Sequence, residues 1–95
     1  MAESTELLQG TLDLLILKAL SLGALNGYAV LLRIQQMSQD RLRIQQGSLY
    51  PALYRLEHQG LLKAEWGESE NRRKARIYRL TSAGRRRLQA ETDYW

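Results

Sequence analysis

The sequence contains no cysteine and no phenylalanine, and only one proline and one histidine in 95 residues. Without cysteine there can be no disulfide, thiolate metal site or cysteine nucleophile, and an intracellular, cytoplasmic location is the simpler expectation. His58 lacks a second ligand at metal spacing and has no serine or aspartate arranged beside it, while the carboxylates are scattered without a paired constellation. Neither an enzyme nor a bound cofactor is therefore expected. Long apolar runs are missing too. Leu12 to Leu22 is the longest, but Asp13 and Lys18 interrupt it and it is too short to span a bilayer. The amino-terminal segment carries Glu3 and Glu6 with no lysine or arginine, which does not suit a signal or transit peptide. The length is that of one domain able to fold without staples.

Negative charge is scarce in one region only. Residues 1–70 hold six Lys/Arg against eight Asp/Glu, whereas residues 71–95 hold eight against two, so a net +4 divides into −2 and +6. Between Asn71 and Arg87 there is no acid, only Arg72, Arg73, Lys74, Arg76, Arg79, Arg85, Arg86 and Arg87. A field concentrated in this way favours a polyanionic partner.

The most informative stretch runs from Gln46 to Gly60. Leu49, Ala52, Leu53 and Leu56 recur at i, i+3, i+4 and i+7, which puts four apolar side chains on one stripe of a helix. Tyr50, Pro51, Tyr54, Arg55 and His58 are left facing elsewhere, giving an outward face that is aromatic, cationic and hydrogen-bonding. Proline suits a first turn, so the helix is expected to begin at Gln46 to Ser48, and Gly60 supplies the left-handed residue that ends it.

Around that helix the chain parses into short elements. A first helix is expected from Leu12 to about Leu22, capped by Thr11 or Gly10 with Asp13 in its first turn, and so apolar that it should be buried on several sides. Asn26 can cap a second helix from Tyr28 to about Met37, with Ala29, Leu31, Leu32 and Ile34 inward. Leu42-Arg43-Ile44-Gln45 suits a short edge strand. After Gly60, Leu62, Ala64 and Trp66 alternate with Lys63 and Glu65, and beyond the polar loop Gly67 to Lys74 the alternation resumes in Arg76 to Leu80, with Tyr78 and Leu80 on one face. Thr81 caps a last helix from Ser82. The expected class is α+β, mostly α: a winged helix-turn-helix with a three-helix core, a β-hairpin wing and a C-terminal helix.

The chain resembles the PadR family of bacterial transcriptional regulators in Leu8-Gln9-Gly10-Thr11-Leu12-Asp13-Leu14-Leu15-Ile16-Leu17, in Asn26-Gly27-Tyr28, in Gln46 to Glu57 with its Gly47-Ser48-Leu49-Tyr50-Pro51 core, and in Tyr78 to Gly84. The resemblance covers nearly the whole chain. It implies a homodimeric repressor that binds a palindromic operator in double-stranded DNA and releases it on a signal, often a small aromatic effector. It also implies that a longer C-terminal helix makes the dimer, so residues 1–81 are read as the DNA-binding domain and 82–95 as the start of the dimerisation helix.

Each candidate site has a plainer alternative. Gln46, Ser48, Tyr50, Pro51, Tyr54 and Arg55 are read as DNA contacts: arginine can grip guanine or a phosphate, hydroxyls can bond phosphates, and proline can press on a thymine methyl. Packing of the tyrosines at the domain edge is the alternative. Asn71, Arg72, Arg73, Lys74 and Arg76 are read as a wing reaching the minor groove or its phosphates, against a merely solvated loop. Tyr28, beside Asn26, either approaches a phosphate or packs. Leu88, Thr92 and Trp95 share a helix face read as dimer interface, against packing on the first helix. Trp66 and Trp95 are candidates for lining an aromatic ligand site at that seam. The competing class is a winged-helix protein-interaction module.

Overall fold

The computed structural model describes residues 2–39, 41, 44–68 and 72–94. Its central element is helix α1 (Ala2–Leu20), which packs against α2 (Gly27–Met37), α3 (Gln46–His58), α4 (Ser82–Tyr94) and strand β3 (Lys74–Leu80). Leu12, Ile16, Leu17, Ala19 and Leu20 are buried and Leu14 and Leu15 half-buried, as expected of a helix apolar around most of its circumference. The helix starts well before the expected cap. Gly10 and Thr11 lie inside it on exposed positions, because the preceding Glu6-Leu7-Leu8-Gln9 are good helix formers and a solvent-facing glycine costs only about 1 kcal/mol. Asp13 is therefore a mid-helix residue.

Asn26 caps α2, its Oδ1 accepting from the Ala29 amide at 2.8 Å. The buried stripe of α2 is Gly27, Val30, Leu31 and Ile34, and Leu32 is exposed: the inward phase lies two positions away from that leucine. Of the edge strand expected at Leu42 to Gln45, the described residues Ile44 and Gln45 are not in a strand. Leu42 and Arg43 lie outside the described residues, Ile44 is buried in the core without strand pairing, and the extended Gln45 precedes α3. The edge position is instead filled by β1 (Leu25–Asn26), whose Leu25 pairs with Tyr78 and Asn26 with Ile77.

Strands β2 (Leu62–Glu68) and β3 form the antiparallel wing, in the sheet order β1-β3-β2, with Leu62 opposite Leu80, Ala64 opposite Tyr78 and Trp66 opposite Arg76. Leu62, Tyr78 and Leu80 are buried, but Trp66, expected inward with Leu62, is 62% exposed because the hairpin has run past the body of the domain. The junction of α3, the wing and α4 is tightly made. Gly60, at φ +78, closes α3 by letting its own amide reach Glu57 O and that of Leu61 reach Leu56 O, both at 3.0 Å. Thr81 Oγ1 accepts from the Gly84 amide at 3.0 Å and donates to Gly60 O at 2.6 Å, so one side chain caps α4 and holds the end of α3.

Candidate nucleic-acid interface

Position around the helical turn gives α3 four distinct sides. Leu49, Ala52, Leu53 and Leu56 are buried beneath it, and Gly47, Pro51, Tyr54 and His58 are exposed on the opposite side. Gln46 and Ser48 are exposed in the first turn. Pro51 is the sixth residue of the helix rather than a first-turn residue, and the carbonyl it leaves without an amide partner is that of solvent-facing Gly47. Tyr54 is 63% exposed and stacks on His58 one turn later with ring centroids 4.8 Å apart.

The two remaining sides carry charge. On one, the Arg55 guanidinium donates to the Asp13 carboxylate of α1, leaving it about one-third exposed. Five donors on a guanidinium exceed what one carboxylate oxygen uses, so Arg55 retains N–H groups for a second partner. On the other, Tyr50 and Glu57, seven residues apart, face the wing. Arg76 Nη2 donates to Glu57 Oε2 at 2.8 Å. The same guanidinium lies 5.7 Å from the centre of the Trp66 ring, and Lys74 Nζ lies 5.5 Å from it. Tyr78 sits on this hairpin face closer to the core, where burial pushes its hydroxyl pKa up and the nearby Arg76 offsets part of that rise.

Between these groups is an open cleft of about 510 Å³, walled by Asn26, Gly27 and Tyr28 at the start of α2, Tyr50 of α3, and Trp66, Tyr78 and Arg73 to Arg76 of the wing. The Tyr50 ring lies against the backbone of Gly27: a Cβ at that glycine would stand 2.6 Å from Tyr50 Cε1. Tyr28, Tyr50, Arg73, Lys74 and Arg76 are thus brought to one cleft, with Pro51 and Tyr54 on the adjoining outward side of α3, Gln46 exposed in its first turn, and Ser48 and Arg55 on the flank away from the wing. Arg72, Arg73 and Lys74 are exposed, and Arg72 takes the left-handed backbone (φ 60) at the hairpin turn. Asn71 lies outside the described residues.

The candidate dimer residues divide. Leu88 is half-buried against the chain's own core, Thr92 is exposed with its hydroxyl donating to Leu88 O at 2.8 Å, and Trp95 lies outside the described residues. Two residues important to the site are absent from the expected set, Asp13 and Glu57, which hold Arg55 and Arg76, and Trp66, expected only as lining an aromatic ligand site, carries Lys74 and Arg76. A carboxylate isolated in an apolar helix was the available signal for Asp13, and the seven-residue interval from Tyr50 was that for Glu57. Among the described residues no group of histidines, cysteines and carboxylates could hold a metal, and no helix is long and apolar enough to cross a membrane.

Four helices with a three-stranded antiparallel sheet, the third helix flanked by a projecting hairpin, define a winged helix-turn-helix domain. The chain belongs to the PadR-like family of transcriptional regulators, whose family model matches residues 16–90. Over 54 residues it is 44% identical to the transcriptional regulator Rv3488 of Mycobacterium tuberculosis, a match covering 57% of this chain and 50% of that protein. A transcriptional regulator from Clostridium thermocellum superposes with a TM-score of 0.83 at 28% identity, over 95% of this chain and 87% of that one. Bacillus subtilis PadR, solved in complex with operator DNA, shares the fold with a TM-score of 0.76 at 22% identity, over 86% of this chain and 46% of that one. The matched parts therefore span about half the length of the mycobacterial and B. subtilis proteins. The family is one of transcription regulators, not enzymes.

Proposed function

We propose that this regulator binds double-stranded DNA through α3 in the major groove and the wing beside it, and that it acts as a homodimeric repressor on a palindromic operator. The observation that carries this reading is the exposed set Gln46, Ser48, Pro51 and Tyr54 on α3, beside a cleft rimmed by Arg73 and Lys74, so that one surface offers groups suited to bases and groups suited to phosphates. A helix of 13 residues, about 20 Å long, fits a groove of B-DNA. The operator complex of the B. subtilis relative supports the same use of the fold. In this reading Ser48, Tyr50, Tyr54 and Tyr28 contact the backbone, Arg55 reads a base edge with the donors Asp13 leaves, and Arg72, Arg73 and Lys74 meet wing-side phosphates. The exposed Thr92 side of α4, with Trp95, joins two copies, which sets the half-sites about 34 Å apart. A small aromatic effector suits the cleft beside Trp66, Tyr28 and Tyr50, where its presence and that of DNA exclude each other.

Titration of a random duplex at two salt concentrations tests the binding. Micromolar, salt-steep affinity is expected, and Arg73→Ala should weaken binding to all sequences and reduce the salt slope by about 1. Absence of binding even at low salt would overturn the reading in favour of a protein-interaction module. Sequencing of bound genomic fragments should return inverted half-sites, and transcription from such a fragment should fall when the protein is added.

A further inference from the structure

The hairpin is anchored to the domain only at its base. Leu62 opposite Leu80 and Ala64 opposite Tyr78 are backed by core, whereas the next pair on that face, Trp66 opposite Arg76, lies beyond it. The outer parts of β2 and β3 thus form a lever whose angle to α3 is set by whatever ties them back. One tie is present. Arg76 reaches the Glu57 carboxylate of α3 at 2.8 Å while its guanidinium lies 5.7 Å from the Trp66 ring centre, so it is engaged on both sides.

We infer that Arg76 is a positioning residue and not a DNA contact: with Glu57 and Trp66 it forms a clasp that fixes the angle of the wing to α3. The inference rests on the DNA-binding reading above and reverses the sequence expectation for Arg76. Whereas Arg55 meets one carboxylate, Arg76 meets Glu57, is also bonded to the Tyr78 hydroxyl and lies on the Trp66 face. Reaching a phosphate would mean leaving Glu57 as an unpaired carboxylate facing a polyanion, which gains one ion pair, loses another and adds a repulsion. Kept together, the pair is neutral toward DNA and holds Arg73 and Lys74 at one distance from the α3 contacts. That fixed distance lets the two sets of contacts engage one site jointly, which makes the clasp a determinant of selectivity.

The test compares Glu57→Gln, Arg76→Gln and the double variant with the unaltered chain, on a duplex selected by the protein from a random pool and on an unselected random duplex, across a salt series. Arg76→Gln should reduce the preference for the selected duplex by at least about threefold, and the double variant Glu57→Gln/Arg76→Gln, which removes both charges of the pair, should leave the salt slope on random duplex unchanged. Glu57→Gln frees the guanidinium, so it should steepen the slope by up to about 0.9 and reduce that preference as well. A slope flattened by about 0.9 in the double variant makes Arg76 a phosphate contact and overturns the clasp alone. An unchanged preference in both single variants also overturns it. If the unaltered chain binds neither duplex, the DNA-binding reading fails and the clasp with it. If Glu57→Gln does not fold by circular dichroism, the preference of Arg76→Gln and the slope of the double variant decide.

Discussion

Gly27 is a glycine because of a neighbour rather than a backbone angle. The Tyr50 ring occupies the space a Cβ would need, at 2.6 Å from Cε1, and the ring is the end of a side chain that can swing. Gly27→Ala should therefore displace Tyr50 without unfolding the domain, since alanine gains up to about 1 kcal/mol of helix propensity against whatever the displaced ring loses. The expected outcome is a melting temperature close to that of the parent and a weaker affinity for the selected duplex. In a Tyr50→Ala background the same substitution should leave affinity unchanged, and a further loss there would show that Gly27 acts by another route. The outward residues Tyr50, Pro51 and Tyr54 were legible because the leucine stripe beneath them fixes the helix phase. The partners of Arg55 and Arg76 were not, because which acid an arginine meets depends on how α1 and the wing cross α3. A helix starting at Leu12 would make Asp13 a first-turn dipole residue, but α1 begins at Ala2 and puts Asp13 in its middle.

At the scale of elements, the joint between α3 and α4 depends on two small residues. Thr81 uses its hydroxyl twice, accepting from the Gly84 amide and donating to Gly60 O, and Gly84 approaches Leu61 so closely that a Cβ would lie 2.2 Å from the Leu61 carbonyl oxygen. Thr81→Ala should cost about 1 to 2 kcal/mol in urea unfolding, with Thr81→Ser recovering most of it. Gly84→Ala meets backbone that cannot turn aside and should cost more, about 1 to 3 kcal/mol. A serine variant no better than alanine would mean that the methyl, not the hydroxyl, holds the joint. Caps and stops of this kind read well from sequence: Asn26, Gly60 and Thr81 each do what local chemistry requires. The edge strand did not, because Leu25 and Asn26 pair with Tyr78 and Ile77 across some fifty residues, and two-residue strands leave no periodicity to detect.

Over the whole molecule, the amino-terminal 70 residues with a net −2 supply most of the core and the acids that hold Arg55 and Arg76, while the last 25 with a net +6 supply the field. Part of that field lies on α4, where Arg85, Arg86 and Arg87 are all exposed. Thr92, exposed one turn beyond the half-buried Leu88, lies two turns beyond Arg85 on the same side of α4, so a dimer through Thr92 carries Arg85 at its edge and leaves Arg86 and Arg87 outside it. Leu88 and Thr92 separate self-packing from pairing. Leu88→Ala opens space against the chain's own core and should lower stability by about 1 to 3 kcal/mol at every protein concentration. Thr92→Arg touches nothing in the core. If copies pair here, the parent melting temperature should rise with protein concentration, and Thr92→Arg should abolish that rise while leaving the dilute limit where it was. The same substitution should lower affinity for a two-half-site duplex to that for a single half-site, because joining two sites multiplies affinity only when both are engaged. A parent melting temperature that stays constant over about a hundredfold range of concentration would remove the paired arrangement and leave α3 and the wing to bind as a single unit.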